Sequence, residues 1–388
     1  MSYLDKLLEG VEVEWRTLGE VAKIGTGSKN GNEAIENGKY DFFIRSKTIK
    51  KIDSYEFDEE AIIIPGEGGI GDIFHYINGK YALHQRAYRI HLVKDDILTK
   101  FVYHYMIANF KSFILRKLVS ATVSSIRKPM IEKFIIPIPP LDVQAEIVRI
   151  LDTFTELTAE LTAELTARKK QYEYYREELL SFEEGEVEWK SLGEKSIGQF
   201  IRGTGLQKKD FTETGVGCIH YGQIYTYYGT YTDKTKSFVS EEFAKKSRKA
   251  NKGDLVIATT SENDEDVCKA VAWLGDDEIA VSSDACFYTH KLNPKYVVYY
   301  FQTEQFQKQK RPFITGTKVR RVNADDLAKI KIPIPPIEEQ ERIVAILDKF
   351  DTLTNSISEG LPKEIELRQK QYEYYRDRLL SFPSLSEL

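Results

Sequence analysis

Gly66-Glu-Gly-Gly-Ile-Gly71 is a GxGxxG run that follows the apolar stretch Ala61-Ile-Ile-Ile-Pro65. Such a loop cradles a dinucleotide pyrophosphate only when it opens a helix whose N-terminus faces the phosphates. Here Asp72 to Tyr76 and the Asn78-Gly79 pair predict a hairpin, and the equivalent stretch of the second half, Ala258-Thr-Thr-Ser261, lacks the glycines. The run reads as an exposed flexible loop. Asn293-Pro-Lys-Tyr296 approaches a base-gripping Asn-Pro-Pro-aromatic sequence. Its third position is Lys295, however, and the equivalent Leu98-Thr-Lys-Phe101 is simply a helix start. No methyl-donor glycine loop or P-loop accompanies it. The six histidines form no HExxH pair, and Cys218, Cys268 and Cys286 lack metal spacing, which argues for reduced thiols in the cytoplasm. Catalysis by this chain, or a metal on it, is not expected.

The chemistry that recurs is electrostatic. Residues 101–140 carry six basic groups against Glu132 alone, and residues 301–336 carry eight against three acids. Residues 141–182 and 337–388 are acidic, so the formal charge of −5 hides two like-placed basic segments. Each segment joins short hydroxyls to cations. The first is Ser120-Ala-Thr122-Val-Ser124-Ser125-Ile-Arg127-Lys128, with Lys117 before it; the second is Thr315-Gly-Thr317-Lys318-Val-Arg320-Arg321, with Arg311 before it. Small hydroxyl side chains and backbone amides approach phosphates closely while Arg and Lys neutralise them. Base edges are read by amide, Arg or His groups on projecting loops. Lys29, Asn30, Arg45, Lys47, Gln85 and Arg86 are candidates in the first block; Arg202, Lys208, Lys209, His220, Tyr221, Gln223 and Ser261 are candidates in the second. The cluster Tyr225, Tyr227, Tyr228 and Tyr231 reads first as strand packing.

These residues sit in a chain written twice. Glu12-Val-Glu-Trp15-Arg-Thr-Leu-Gly-Glu20 returns as Glu186-Val-Glu-Trp189-Lys-Ser-Leu-Gly-Glu194. Ile136-Pro-Ile-Pro-Pro140 returns as Ile332-Pro-Ile-Pro-Pro336, and Lys170-Gln-Tyr-Glu-Tyr-Tyr-Arg176 as Lys370-Gln-Tyr-Glu-Tyr-Tyr-Arg376. The interiors do not match: a fixed frame carries two different readers. After each proline motif the period turns helical. Ile147, Leu151, Phe154, Thr158, Leu161, Leu165, Arg168, Tyr172, Tyr175, Leu179 and Phe182 form an a/d seam. Ile343, Leu347, Phe350, Thr354, Ile357 and Leu361 start a second seam, which resumes at Ile365 after a four-residue step bearing Gly360 and Pro362, where a kink or break is expected. The two seams are expected to pack antiparallel. Tyr3-Leu-Asp-Lys-Leu-Leu8 is similar to Tyr175-Arg-Glu-Glu-Leu-Leu180, so the N-terminus reads as the end of a repeat that begins at the C-terminus. Helices are expected over Leu98 to Lys117 and Asn293 to Gln309, and strands at Asp254 to Thr260 and Cys268 to Trp273.

The expected fold is α+β: two mixed α/β domains, residues 1–140 (whose N-terminal segment closes the repeat) and 183–336, separated by two long antiparallel coiled-coil helices, 141–182 and 337–388, in a pseudo-two-fold repeat. No run approaches the ~18 apolar residues a membrane helix needs. Met1 to Glu14 is acidic and mixed, unlike a signal or transit peptide.

The twice-repeated Val-Glu-Trp-x-x-Leu-Gly-Glu, the hydroxyl-basic loop with Ile-Pro-Ile-Pro-Pro, Gln144-Ala-Glu-Ile-Val-Arg-Ile-Leu-Asp152 with Gln340-Glu-Arg-Ile-Val-Ala-Ile-Leu-Asp348, and the Gln-Tyr-Glu-Tyr-Tyr-Arg helices resemble the specificity subunit of type I restriction–modification enzymes. Three Glu-Leu-Thr-Ala copies at 156–167 further resemble the type IC subfamily. The resemblance implies a non-catalytic reader in the cytoplasm. Its two target-recognition domains would each read half of an asymmetric bipartite sequence in double-stranded DNA. Its helices would dock two modification subunits, which use S-adenosylmethionine, and restriction subunits using ATP and Mg would join. No cofactor on this chain and no membrane partner are implied. A coiled-coil adaptor joining two protein-binding domains is the alternative.

Overall fold

The computed structural model describes residues 7–116, 125–183, 185–356 and 358–383. The chain divides into two compact units, one made of residues 1–161 and 365–388 and the other of residues 162–364. None of its described helices is long and apolar enough to cross a membrane. Six helices organise the units: α1 (Thr99–Arg116), α2 (Leu141–Leu179), α3 (Pro294–Phe301), α4 (Glu304–Lys310), α5 (Ile337–Asn355) and α6 (Gly360–Leu379).

The repeated sequences pair with each other. Glu14–Thr17 lies antiparallel to Ile135–Ile138 with Trp15 opposite Pro137, and Glu188–Ser191 lies antiparallel to Lys331–Ile334 with Trp189 opposite Pro333. Proline is tolerated here because each ladder has only two strands and its N–H side needs no partner. Just beyond each ladder a buried glutamine locks the proline turn to the helical layer. Gln144 Oε1 accepts from Leu98 N (2.9 Å), and its Nε2 donates to Asp96 O (2.9 Å) and Pro139 O (2.8 Å). Gln340 does the same with Asn293 N (2.9 Å) and Pro335 O (2.9 Å). One turn or more further along, Asp152 holds Lys100 (2.5 Å) and His104 (2.9 Å) of α1, while Asp348 holds Lys295 (2.7 Å) and Tyr299 (2.6 Å) of α3.

In the first unit a six-stranded sheet runs in the order Ala22–Thr26, Ala87–Leu92, Phe57–Pro65, His75–Leu83, Tyr40–Phe43, Lys50–Ile52. The second unit keeps this order but splits it. Gly198–Arg202, Ala285–His290, Leu255–Ala258 and Ala270–Trp273 lie in one sheet, and Ile279–Val281, Val216–Ile219 and Ser237–Val239 in another. The strand His75–Leu83 thus corresponds to two strands interrupted at residues 274–278. This corrects the expected Asn78-Gly79 turn. Asn78 and Gly79 stay in register opposite Glu60 and Glu59, and Gly79 absorbs the distortion at φ 130°. The expected helix over Asn293 to Gln309 is also two helices. Asn293 Oδ1 caps α3 through Lys295 N and Tyr296 N, and Thr303 Oγ1 starts α4 by accepting from Phe306 N.

Apart from Tyr175, which is exposed, the described seam residues are buried or half-buried, as the periodicity predicts. In the first unit Ile147 and Leu151 of α2 are buried with Leu379 and Leu380, and Phe154 stacks on Tyr375 at 5.1 Å. In the second unit Tyr172 and Leu180 are buried with Ile343 and Leu347, and Phe350 stacks on Tyr175 at 5.5 Å. Within each unit the start of one helix therefore meets the end of the other, an antiparallel pairing. The expected interruption separates α5 from α6. Gly360 (φ 78°) is required there, because a Cβ would stand 2.4 Å from Thr352 O. Ile357 lies outside the described residues, as do Tyr3 to Lys6; Leu7 and Leu8 pack into the cluster that holds Leu379.

Two predictions follow from these packed polar groups. Gln144→Leu leaves one buried N–H and two carbonyls without partners and should cost about 3 kcal/mol, seen as a lower urea midpoint. His290 is half-buried against Tyr288, and its Nδ1 accepts from Leu292 N (3.2 Å). Burial pushes its pKa down to about 4. The unfolded chain takes up a proton near pH 6.5 that the folded chain excludes, so this stability is present above that pH and is lost as pH falls toward 4. Calorimetry should show wild type losing stability between pH 6.5 and 4 relative to His290→Phe, by up to about 3 kcal/mol.

Candidate nucleic-acid interface

At one edge of each unit, sheet ends and loops form a rim built on the same backbone bonds. His84 N donates to Phe43 O (2.9 Å), and Ser282 N to Ile219 O (3.2 Å). Lys29 N donates to Leu83 O (3.2 Å), and Thr204 N to Val281 O (2.8 Å). Gly66 N donates to Arg86 O (2.8 Å), and Thr259 N to Asp284 O (3.0 Å). Ile126 N donates to Gly66 O (2.8 Å), and Val322 N to Thr259 O (3.1 Å). Gly27 and Gly203 let a neighbouring strand end come close: a Cβ would stand 1.8 Å from Leu83 O and 2.1 Å from Ser282 O, respectively. The side chains carried on this shared scaffold differ. Arg45 corresponds to Tyr221, Glu67 to Thr260, Arg86 to Asp284 and Ser125 to Arg321.

In the first unit the rim gathers Lys29, Asn30, Arg45, Gln85, Arg86 and Ser125. Gln85 Nε2 donates to Asn30 Oδ1 (2.6 Å) and Lys29 pairs with Glu33 (3.2 Å). Ser125 bridges to Glu67, whose carboxylate pairs with both Arg45 and Arg86 (2.8 Å). The Arg86 hydrogen bond, aided by Arg45, holds the Glu67 carboxyl below the usual range. Arg45 and Glu67, together with Ser46, Gly68 and His84, line an open depression of ≈ 540 Å³. Lys47 is exposed near Arg45 in sequence, Arg127 precedes a short helix, and Lys128 pairs with Glu132 (3.6 Å). Lys117, Ser120, Thr122 and Ser124 lie outside the described residues.

In the second unit Arg202 Nε donates to Ser283 O (3.1 Å), Tyr221 N to Ser282 Oγ (2.9 Å), and Ser261 lies opposite Arg320 in a short ladder that also pairs Thr260 with Arg321. Thr315 and Arg321 exchange backbone bonds (2.9 Å each), leaving Thr317 and Lys318 exposed at the tip. His220 and Gln223 are engaged in a helix cap, with His220 Nδ1 accepting from Gly222 N (3.2 Å) and Gln223 Oε1 accepting from His220 N (3.0 Å), and Gln223 Nε2 also donates to Ser237 Oγ (2.7 Å). Lys208 and Lys209 are exposed on a 3-10 turn, and Arg311 pairs with Glu304 of α4 (3.0 Å). Tyr225 and Tyr228 pack in the core, whereas Tyr227 is exposed under Lys236.

Sequence patterns alone missed the loop anchors. Glycines 68, 69 and 71 all take positive φ, and the GxGxxG loop leads into the strand His75–Leu83. A Cβ on Gly71 would meet Lys111 Cβ at 2.8 Å, and Lys111 Nζ pairs with Asp72 (2.6 Å). The equivalent loop of the second unit is held by Lys310, which is fully buried with Nζ on Glu265 O (3.0 Å) and Val267 O (2.8 Å). Burial pushes its ammonium pKa down. Lys111 and Lys310 lie in the two basic segments but at places that do not match in the repeat, so the sequence carried no signal that they anchor loops. Cys218, Cys268 and Cys286 are free and buried, and among the described residues no group of three or more His, Cys, Asp or Glu is placed to hold a metal. Lys310→Met should strand two carbonyls and speed amide exchange in residues 261–268 by about tenfold, with exchange in the first unit unchanged.

Residues 10–168 and 186–367 each match the family model described as the type I restriction modification DNA specificity domain. The chain is 37% identical to the specificity subunit of the Escherichia coli type I restriction enzyme EcoR124I/EcoR124II, over 99% of this chain and 98% of that one. It is 32% identical to the Escherichia coli EcoprrI specificity subunit, over 92% of both chains. The crystal structure of the type I restriction–modification S subunit from M. genitalium shares the fold, with a TM-score of 0.61 and 17% identity over 99% of this chain and 100% of that one. Two copies of one frame, each ending in a rim of its own composition, and these matches lead to one assignment: the chain belongs to the family of type I restriction–modification DNA specificity subunits.

Proposed function

We propose that each rim reads one half of an asymmetric bipartite target in double-stranded DNA and that the helices α2, α5 and α6 set the gap between half-sites. The observation that carries this reading is the pair of rims built on matching backbone bonds with different side chains. A reader that must change its target while keeping its frame varies there. The exposed arginines, lysines and hydroxyls supply phosphate contacts, and Arg, Gln and Asn supply base contacts. In this reading the chain performs no reaction. It docks two modification subunits, which bind S-adenosylmethionine and methylate adenine, and restriction subunits driven by ATP with Mg join the assembly in the cytoplasm.

Two measurements test it. With the modification subunits present, affinity for target duplex should fall steeply and log-linearly with added salt. An adaptor joining protein partners would bind no duplex and show no such slope. Each Glu-Leu-Thr-Ala unit is about 6 Å of helix, set against 3.4 Å per base pair. Deleting residues 160–163 should shorten the gap by one or two base pairs, roughly, and leave both half-sites intact in a map of methylated adenines. Changed half-sites with an unchanged gap would refute the ruler.

A further inference from the structure

We propose that the guanidinium forks of Arg45 and Arg86 in the first unit, and of Arg320 in the second, read guanine, and that Glu67 and Asp264 are the positioning residues that aim them. This rests on the reading of the two rims as half-site readers.

The acids come from corresponding loops but from different positions on them, since Glu67 corresponds to Thr260. Glu67 lies on the loop after Phe57–Pro65, and Asp264 on the equivalent loop after Leu255–Ala258. The arginines do not. Arg45 follows Tyr40–Phe43, Arg86 lies in the turn before Ala87–Leu92, and Arg320 lies in the later basic segment. The recurring feature is thus a carboxylate on one loop that captures whichever arginine the rim supplies, and not a copied ion pair. Arg45 and Arg86 both place Nη1 on Glu67 Oε1, the second at 2.8 Å. Arg320 places Nε 2.8 Å from Asp264 Oδ1 and Nη1 2.6 Å from Gly316 O. Arg45 and Arg86 are each held through one nitrogen and Arg320 through Nε and Nη1, and all three keep further donors for a ligand.

An acid on a surface that meets phosphates is unfavourable by itself, so its presence on both rims calls for a gain elsewhere. That gain is orientation. Guanine presents O6 and N7 as two acceptors that match a planar fork, and a fork already held in place loses less rotamer freedom on binding. In the first unit the Arg45 and Arg86 side chains remain 43% and 59% exposed and Glu67 only 27%, so those two forks project past their acid, whereas in the second unit Arg320 is 33% and Asp264 50% exposed. The loops themselves are anchored, by Lys111 on Asp72 and by Lys310 on Glu265 O and Val267 O.

The test is a genome-wide map of methylated adenines in cells carrying the complete system with wild type, E67Q, R86K or D264N. E67Q and R86K should each weaken preference for guanine at positions of the same half-site by about fivefold or more. The other half-site should keep its preferences within about twofold. D264N should do the reverse. R86K keeps the charge and loses only the fork, and a thermal melt of each purified variant complex at the wild-type midpoint excludes misfolding. E67Q and D264N maps identical to wild type, or uniform loss of methylation at every site by folded complexes, would overturn the bracing. A wild-type map without any bipartite motif would instead overturn the reading on which it rests.

Discussion

Each unit completes its core with a helix end that arrives from far away in sequence. Leu379 and Leu380 are buried beside Ile147 and Leu151, and Tyr172 and Leu180 beside Ile343 and Leu347. Removing four such side chains from water is worth on the order of 1.5–3 kcal/mol each, but the larger consequence is positional. A seam with stacked aromatics at Phe154–Tyr375 and Phe350–Tyr175 tolerates one register, because sliding by a turn would separate both rings. Everything outward follows from this. The glutamine locks, the aspartates that hold α1 and α3, and the two-stranded ladders all hang on the starts of α2 and α5.

On that frame, backbone bonds define the rim and side chains define its chemistry. Hydrogen bonds between main-chain groups do not depend on residue type, so the scaffold survives replacement of Arg45 by Tyr221 or Arg86 by Asp284 between the units. Glycine is the exception, since Gly27 and Gly203 stand where any Cβ would collide with a carbonyl. This division explains how one architecture can carry two rims of dissimilar chemistry.

The frame was readable in the sequence because it is periodic and written twice. The seams, the break at Gly360 and Pro362, and the helix start at Asn293 each follow from local rules. The rim was not readable as a unit, because bonds such as Ile126 N to Gly66 O join residues far apart in the chain. Candidates such as Arg45, Gln85 and Arg86 were named from residue type alone, and nothing in that pattern revealed that Glu67 ties two of them together. Charge counting also treated Lys310 as part of a basic surface, whereas tertiary packing buries it under a loop. The Asn78-Gly79 pair had the chemistry of a turn, and ladder pairing on both sides of its strand overrode it.

In the proposed reading the two rims meet different halves of one target. Photo-crosslinking measures this directly: a target duplex carrying 5-iododeoxyuridine in one half-site at a time is irradiated in the assembled modification complex, and the attached residues are read by mass spectrometry. Attachment from one half-site to residues 27–128 only, and from the other to residues 202–321 only, is the expected result. Attachment from a single half-site to both segments, or from either to the spacer helices alone, would contradict it.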